Sequence, residues 1–112
     1  MAMLPEGAVK DPSKPLCIVH HVRIRPECVE EYRAYAREHY ILPASGEPGC
    51  EVYDVWQDSA DPCHFIVVER WSSLAALEAH MARPYVLGGL ARAMAMQDGP
   101  MKSYYLSSAG FG

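Results

Sequence analysis

Two strand-like runs set the frame of this chain: Cys50-Glu51-Val52-Tyr53-Asp54-Val55-Trp56-Gln57 and His64-Phe65-Ile66-Val67-Val68-Glu69-Arg70-Trp71. Both are rich in β-branched and aromatic residues, and Asp58-Ser59-Ala60-Asp61-Pro62 between them has the composition of a turn. A link that short cannot cross over a sheet, so the two runs must pair antiparallel as a hairpin. A helix follows at once. Ser72 or Ser73 can cap it, Leu74, Leu77 and Met81 form its inner stripe, and His80 sits beside that stripe.

The flanking segments complete the order. Residues 1–15 hold Pro5, Gly7, Pro12 and Pro15 and read as an extended arm with little order of its own. Leu16, Ile18, His20, Val22 and Ile24 alternate along a first strand, with Cys17, Val19, His21 and Arg23 on its other face. Pro26 stands at a helix start, followed by Glu27, Glu30 and Glu31 where negative charge suits the helix dipole. Val29, Tyr32, Ala36, His39 and Tyr40 recur at helical steps, and Pro43 is expected to end that helix. Pro84 breaks the second helix. Leu87, Leu90 and Met94 continue it, weakened by Gly88-Gly89. Met101 to Ser107 forms the last strand.

The result is β-α-β-β-α-β, an α+β, ferredoxin-like arrangement with an antiparallel sheet. The domain is expected over residues 16–107, with residues 108–112 as a tail. Both helical layers fall on one face of the sheet. The other face carries apolar residues and is expected to be covered by a second copy.

Composition narrows the function. The chain has 112 residues, half of them hydrophobic, which suits one domain with a real core. A net charge of -4, with ten Lys and Arg spread singly, argues against nucleic acid or an anionic membrane as partner. No apolar run reaches transmembrane length and no leader is read at the start, so a cytoplasmic location is expected. Cys17, Cys28, Cys50 and Cys63 show no C-x-x-C spacing. They are expected to be reduced, mostly buried residues rather than zinc ligands or disulfides.

Several runs carry a resemblance to a known family. They are Val22-Arg23-Ile24-Arg25-Pro26, Glu47-Pro48-Gly49-Cys50 with Tyr53, and Phe65 through Ser73. Ala76-Leu77-Glu78-Ala79-His80-Met81 and Arg83-Pro84-Tyr85 add to them. On these the chain resembles the antibiotic biosynthesis monooxygenase (ABM) family of dimeric α+β barrel proteins, over residues 16–107. The resemblance implies a homodimer packed sheet to sheet, each protomer keeping a pocket between sheet and helices. Oxygenases of this family work without metal, flavin or haem, so no cofactor or metal is expected. Haem-degrading relatives use an asparagine on the first strand with a tryptophan and a histidine on the second helical region. Here His20, His80 and Leu90 stand at those places, which disfavours haem.

The residues then offer candidates. His80 can reach a pocket between helix and sheet, and histidine is the residue type best suited to take a proton from a phenol near neutral pH. The competing assignment is a buried histidine bonded to a carbonyl or to Glu69. His20 interrupts an apolar face and needs a partner or a ligand, and is the stronger candidate for a functional role. Together the two are the expected catalytic pair. Trp71, Tyr53, Tyr32, Glu69 and Arg92 are the expected substrate-binding residues, with Tyr40, Trp56 and Arg23 behind them. Trp71 and Glu69 could equally serve as core anchor and hydrogen-bond acceptor. The leading expectation is a cofactor-independent monooxygenase of a small aromatic, quinol or polyketide-like substrate. The alternatives are a non-redox isomerase or proton-transfer enzyme, and a non-catalytic dimeric binding protein.

Overall fold

The computed structural model describes residues 4–110. Its four strands are β1 (Leu16–Arg23), β2 (Cys50–Gln57), β3 (His64–Trp71) and β4 (Lys102–Ser107). They form one antiparallel sheet in the order β2-β3-β1-β4, the ferredoxin-like order expected. The hairpin turn is held by its aspartates: Asp58 accepts from the Ala60 N–H at 2.8 Å and Asp61 from the Cys63 N–H at 3.1 Å.

Register decides which side chains meet. Ile18 lies opposite Glu69 and Tyr105, His20 opposite Val67 and Ser103, and Tyr53 opposite Glu69. These residues share the face under the helices, where Leu16, Ile18, Val22, Phe65, Val67 and Trp71 are buried. The other face presents Val19, Val68, His21, Ile66, Tyr104 and Trp56 by the same alternation. Trp56, expected near a pocket, is 63% exposed on that outer face. His21 stacks on His64 there, and His64 reaches Asp58 at 3.0 Å.

The first helical segment starts with a 3-10 turn at Pro26–Cys28 and continues as α1 (Val29–Ala36). It then widens into a π turn over Arg37–Ile41 and resumes as α2 (Leu42–Ser45). Pro43 was expected to stop the helix, yet it sits inside α2. The wide turn shifts the hydrogen bonds by one residue, the Leu42 N–H reaching the Arg37 carbonyl, so a ring lacking an N–H is accommodated. Tyr32, Tyr35 and Ala36 are buried, whereas His39 of the expected stripe lies exposed, stacked on Tyr35.

After β3, α3 (Leu74–Met81) is capped by Ser73, whose hydroxyl accepts from the Ala76 N–H at 3.2 Å. Gly49 precedes β2 with φ +81°, and a β-carbon there would stand 2.5 Å from the Ala76 β-carbon. Only glycine permits that approach of loop to helix. Pro84 opens α4 (Pro84–Met96) as expected. Its stripe differs, because Ala93 and Met96 are buried while Leu87, Leu90 and Met94 are exposed. The reason is that α4 stands over a hollow rather than directly on the sheet.

Residues 4–15 of the N-terminal arm are docked. The Pro12 carbonyl accepts from the Leu74 N–H at 3.1 Å, and Leu4 and Val9 pack on the core. All four cysteines are free and half-buried rather than buried. Burial raises the thiol pKa of Cys17 and Cys50. Among the described residues no helix is long and apolar enough to cross a membrane.

Candidate active site

A cavity of about 730 Å³ lies between the sheet and α4, within the size range of small-molecule sites. Strand residues His20, Tyr53, Val67 and Glu69 form its floor, Tyr32 and Tyr40 one side, and Tyr85, Val86, Leu90 and Met94 of α4 its roof. His80 closes one end. The two expected histidines therefore do meet one cavity, from sheet and from helix.

Their surroundings differ. The His20 Nδ1 lies 2.6 Å from the Ser103 hydroxyl and its Nε2 2.8 Å from Glu69 Oε2. An ionised carboxylate only accepts, so Nε2 carries the hydrogen and Nδ1 accepts from Ser103. Both ring nitrogens are thus occupied. Glu69, 6% exposed, also accepts from the Trp71 indole N–H at 3.1 Å through Oε1. Trp71 is wholly buried and does not line the cavity. Its part is to hold Glu69, as the anchor assignment supposed, rather than to meet a ligand.

His80 is bonded on one side only. Its Nδ1 lies 3.0 Å from Glu47 Oε2 and 3.1 Å from Oε1, both groups being buried. The competing assignment offered a carbonyl or Glu69 as its partner; His80 is buried as that assignment held, but Glu69 is turned to His20 and Glu47 takes its place. Glu47 holds Nδ1 as the protonated nitrogen, which leaves a lone pair on Nε2. That atom makes no hydrogen bond among the described residues. Among the described residues the side-chain polar atom sealed from solvent without a bond is Arg83 Nε, so His80 Nε2 is not sealed off.

Glu47 has further partners. Tyr85 donates its hydroxyl hydrogen to Oε2, and Arg83 Nε lies 2.8 Å from Oε1 as an ion pair whose N–H is not aimed at the oxygen. The Trp71 and Tyr53 rings lie 4.6 Å and 5.8 Å from the imidazole. Burial raises the pKa of Tyr32, Tyr40, Tyr53 and Tyr85 above the usual phenol range. A neighbouring carboxylate adds to this, Glu69 for Tyr53 and Glu47 for Tyr85. The four remain neutral donors at physiological pH.

Arg92 does not reach the cavity. It lies over the Tyr35 ring at 4.6 Å and pairs with Glu31 at 3.4 Å. Arg23 pairs with Asp61 at 2.7 Å on the exposed rim. Glu47, Ser103 and Tyr85 are the site residues that sequence reasoning missed. For Glu47 a signal existed: an acid just before Pro48-Gly49, where the chain must pass close to the helix that carries His80.

A family model described as antibiotic biosynthesis monooxygenase matches residues 15–92. An uncharacterized protein of Synechocystis sp., sll1783, is 31% identical over 77 residues, 69% of this chain. The match takes in 52% of that protein, so the chain spans about half the length of this relative. "Putative monooxygenase Rv0793" of Mycobacterium tuberculosis is 31% identical over 75 residues, 67% of this chain and 72% of that one. The Rv0793 structure superposes with a TM-score of 0.78, covering 85% of this chain and 95% of that chain at 24% identity, which speaks to the fold. A crystal structure described as an antibiotic biosynthesis monooxygenase gives 0.78 at 26% identity, over 84% of this chain and 98% of that chain.

Proposed function

Because the chain belongs to the antibiotic biosynthesis monooxygenase family, we propose that it oxygenates a small electron-rich aromatic substrate, a quinol or polyketide-like phenol, without a cofactor. The observation that carries this reading is the Glu47–His80 pair, with one imidazole nitrogen held and the other free at an aromatic-lined cavity.

His80 Nε2 takes the phenolic proton, and Glu47 stabilises the imidazolium that forms. The phenolate, now electron-rich, passes an electron to O2 within the apolar, aromatic-lined cavity. For a hydroquinone the overall change is hydroquinone plus O2 giving hydroxyquinone plus water. One oxygen atom replaces a ring hydrogen, the other leaves as water, and the substrate supplies all four electrons. Tyr53 and Tyr32 serve as donors to oxygen atoms of the bound ring, and Glu69 is a further polar group of the floor. His20 acts through Glu69 and Ser103 as a positioning residue.

The working unit in this reading is a homodimer that covers the outer sheet face, where Val19 and Val68 lie opposite each other. Oxygen uptake with a panel of hydroquinones and anthrones tests the activity. Turnover that His80→Ala lowers by at least about a hundredfold is the expected result, and no uptake with any of them removes the reading.

One observation also supports a second reading. The Glu47–His80 pair is a complete proton-transfer device without oxygen, so an isomerase acting on a small metabolite would use the same atoms. Turnover under strict anaerobiosis separates the two.

A further inference from the structure

The charges around the cavity say more than its shape does. Two carboxylates, Glu47 and Glu69, stand at its wall or just behind it, each nearly buried. Among the described residues no lysine or arginine lines it. The arginines nearest in the fold are already matched: Arg83 to Glu47, Arg92 to Glu31 and Arg70 to Glu51. Each histidine is hydrogen-bonded to its own glutamate, His20 to Glu69 and His80 to Glu47, and Arg83 shares Glu47 with His80. Buried charges interact strongly because little water screens them.

We propose that this cavity admits its aromatic ligand only in the protonated, uncharged form, and rejects rings that carry a carboxylate, sulfonate or phosphate. The inference rests on the phenol-binding reading above and deepens it. An arriving anion would lose its hydration next to the Glu69 carboxylate, and the cation behind the wall, Arg83, is already paired with Glu47. A neutral phenol loses nothing comparable. Its O–H bond breaks only inside, the proton passing to His80 Nε2, so phenolate and imidazolium form together as a matched pair. The site makes its anion in place instead of taking one up. The tyrosines fit the same scheme, since hydroxyls kept protonated by burial donate to an oxygen that becomes negative after binding.

The test is calorimetric titration at pH 7 with 2-naphthol and with 6-hydroxy-2-naphthoate, which share a ring system and a phenol and differ by one carboxylate. The naphthol is expected to bind at least about tenfold more tightly. With 4-nitrophenol, whose hydroxyl ionises near neutrality, affinity should fall as pH rises through the ligand's own pKa. Two variants probe the cause. Glu69→Gln should narrow the gap between the naphthols. Leu90→Lys places a cation at the roof, and should strengthen naphthoate binding at least about fivefold. Leu90 is already 48% exposed, so this variant keeps the fold even if Glu69→Gln does not.

Equal affinity of the wild type for the two naphthols overturns the inference, as does tighter binding of 4-nitrophenolate than of the phenol. If neither naphthol binds, the aromatic-binding reading itself fails and takes the inference with it. Discrimination between the two with no oxygen uptake from hydroquinones leaves the inference standing and removes only the oxygenase reading.

Discussion

The Tyr35 hydroxyl donates to the Gly89 carbonyl at 2.9 Å, and the α-carbon of Gly89 comes so close to that hydroxyl that no β-carbon fits between them. This is where α4, the roof of the cavity, is pinned to the first helical segment. Gly89→Ala gains helix propensity of about 1 kcal/mol but forces a buried ring aside, at a cost of about 1–3 kcal/mol. A net loss of stability is expected. Tyr35→Phe loses about 1 kcal/mol with the hydrogen bond and removes the clashing oxygen. In that background Gly89→Ala should become neutral or stabilising. Urea unfolding of the four proteins measures the cycle, and additive effects would contradict the pinning.

The two histidines should separate in kinetics. His80→Ala is expected to lower kcat by about 10²–10⁴-fold, the usual worth of a general base. Glu47→Gln should lower it by at least about tenfold, because the imidazolium loses its counter-charge. His20→Asn should change it by less than about tenfold, since neither His20 nitrogen is free for substrate. Steady-state rates on any phenol that the protein turns over check this order. A larger loss at His20 than at His80 would reverse the assignment.

Alkaline pH should unfold the protein. The folded-state pKa values of Tyr32, Tyr40 and Tyr53 are raised above the ordinary value of 10.0, chiefly by burial. Above that value the unfolded chain releases these protons while the folded chain retains them. Stability is therefore undiminished below pH 10 and falls as pH rises past it, by up to about 1.4 kcal/mol per pH unit for each tyrosine. Urea midpoints at pH 8, 10 and 11 measure the slope. Tyr40→Phe should make it shallower, and an unchanged slope would show that this hydroxyl titrates freely.

Gly49→Ala should cost more than an ordinary loop substitution. It places a side chain at φ +81° and 2.5 Å from the Ala76 β-carbon, so strain and overpacking add to a loss of about 2–4 kcal/mol. The loop also carries Glu47, two residues earlier. The variant should therefore lose activity under conditions where it remains folded, which circular dichroism and rate assays separate.

Val68→Asp tests the assembly. Val68 sits in the middle of the outer sheet face opposite Val19, where a homodimer would bury it. Sedimentation should show a dimer for the wild type and a monomer for the variant. A monomeric wild type at micromolar concentration would remove the proposed assembly.

Much of the fold could be read along the chain because it depends on neighbours in sequence. The short link before His64 imposed the hairpin, the Ser72-Ser73 pair and Pro84 marked the starts of α3 and α4, and alternation put His20 on the face with Ile18 and Val22. Pro43 misled, because its effect on a helix depends on whether the preceding turn widens. The α4 stripe misled as well. Periodicity says that Leu87, Leu90 and Met94 share a face, but not whether that face meets a packed sheet or a hollow.

The amino-acid order determined the sheet, its two faces and the arrival of two histidines at one hollow. Only the tertiary structure decided which carboxylate each histidine holds. Glu69 goes to His20 across 49 positions and Glu47 to His80 across 33. The pairing turns on distances of a few tenths of an ångström between side chains on different elements, and hydrogen bonds weaken steeply outside that range. Local pattern carries no such information. It is this pairing that leaves His80, and not His20, with a nitrogen free for chemistry.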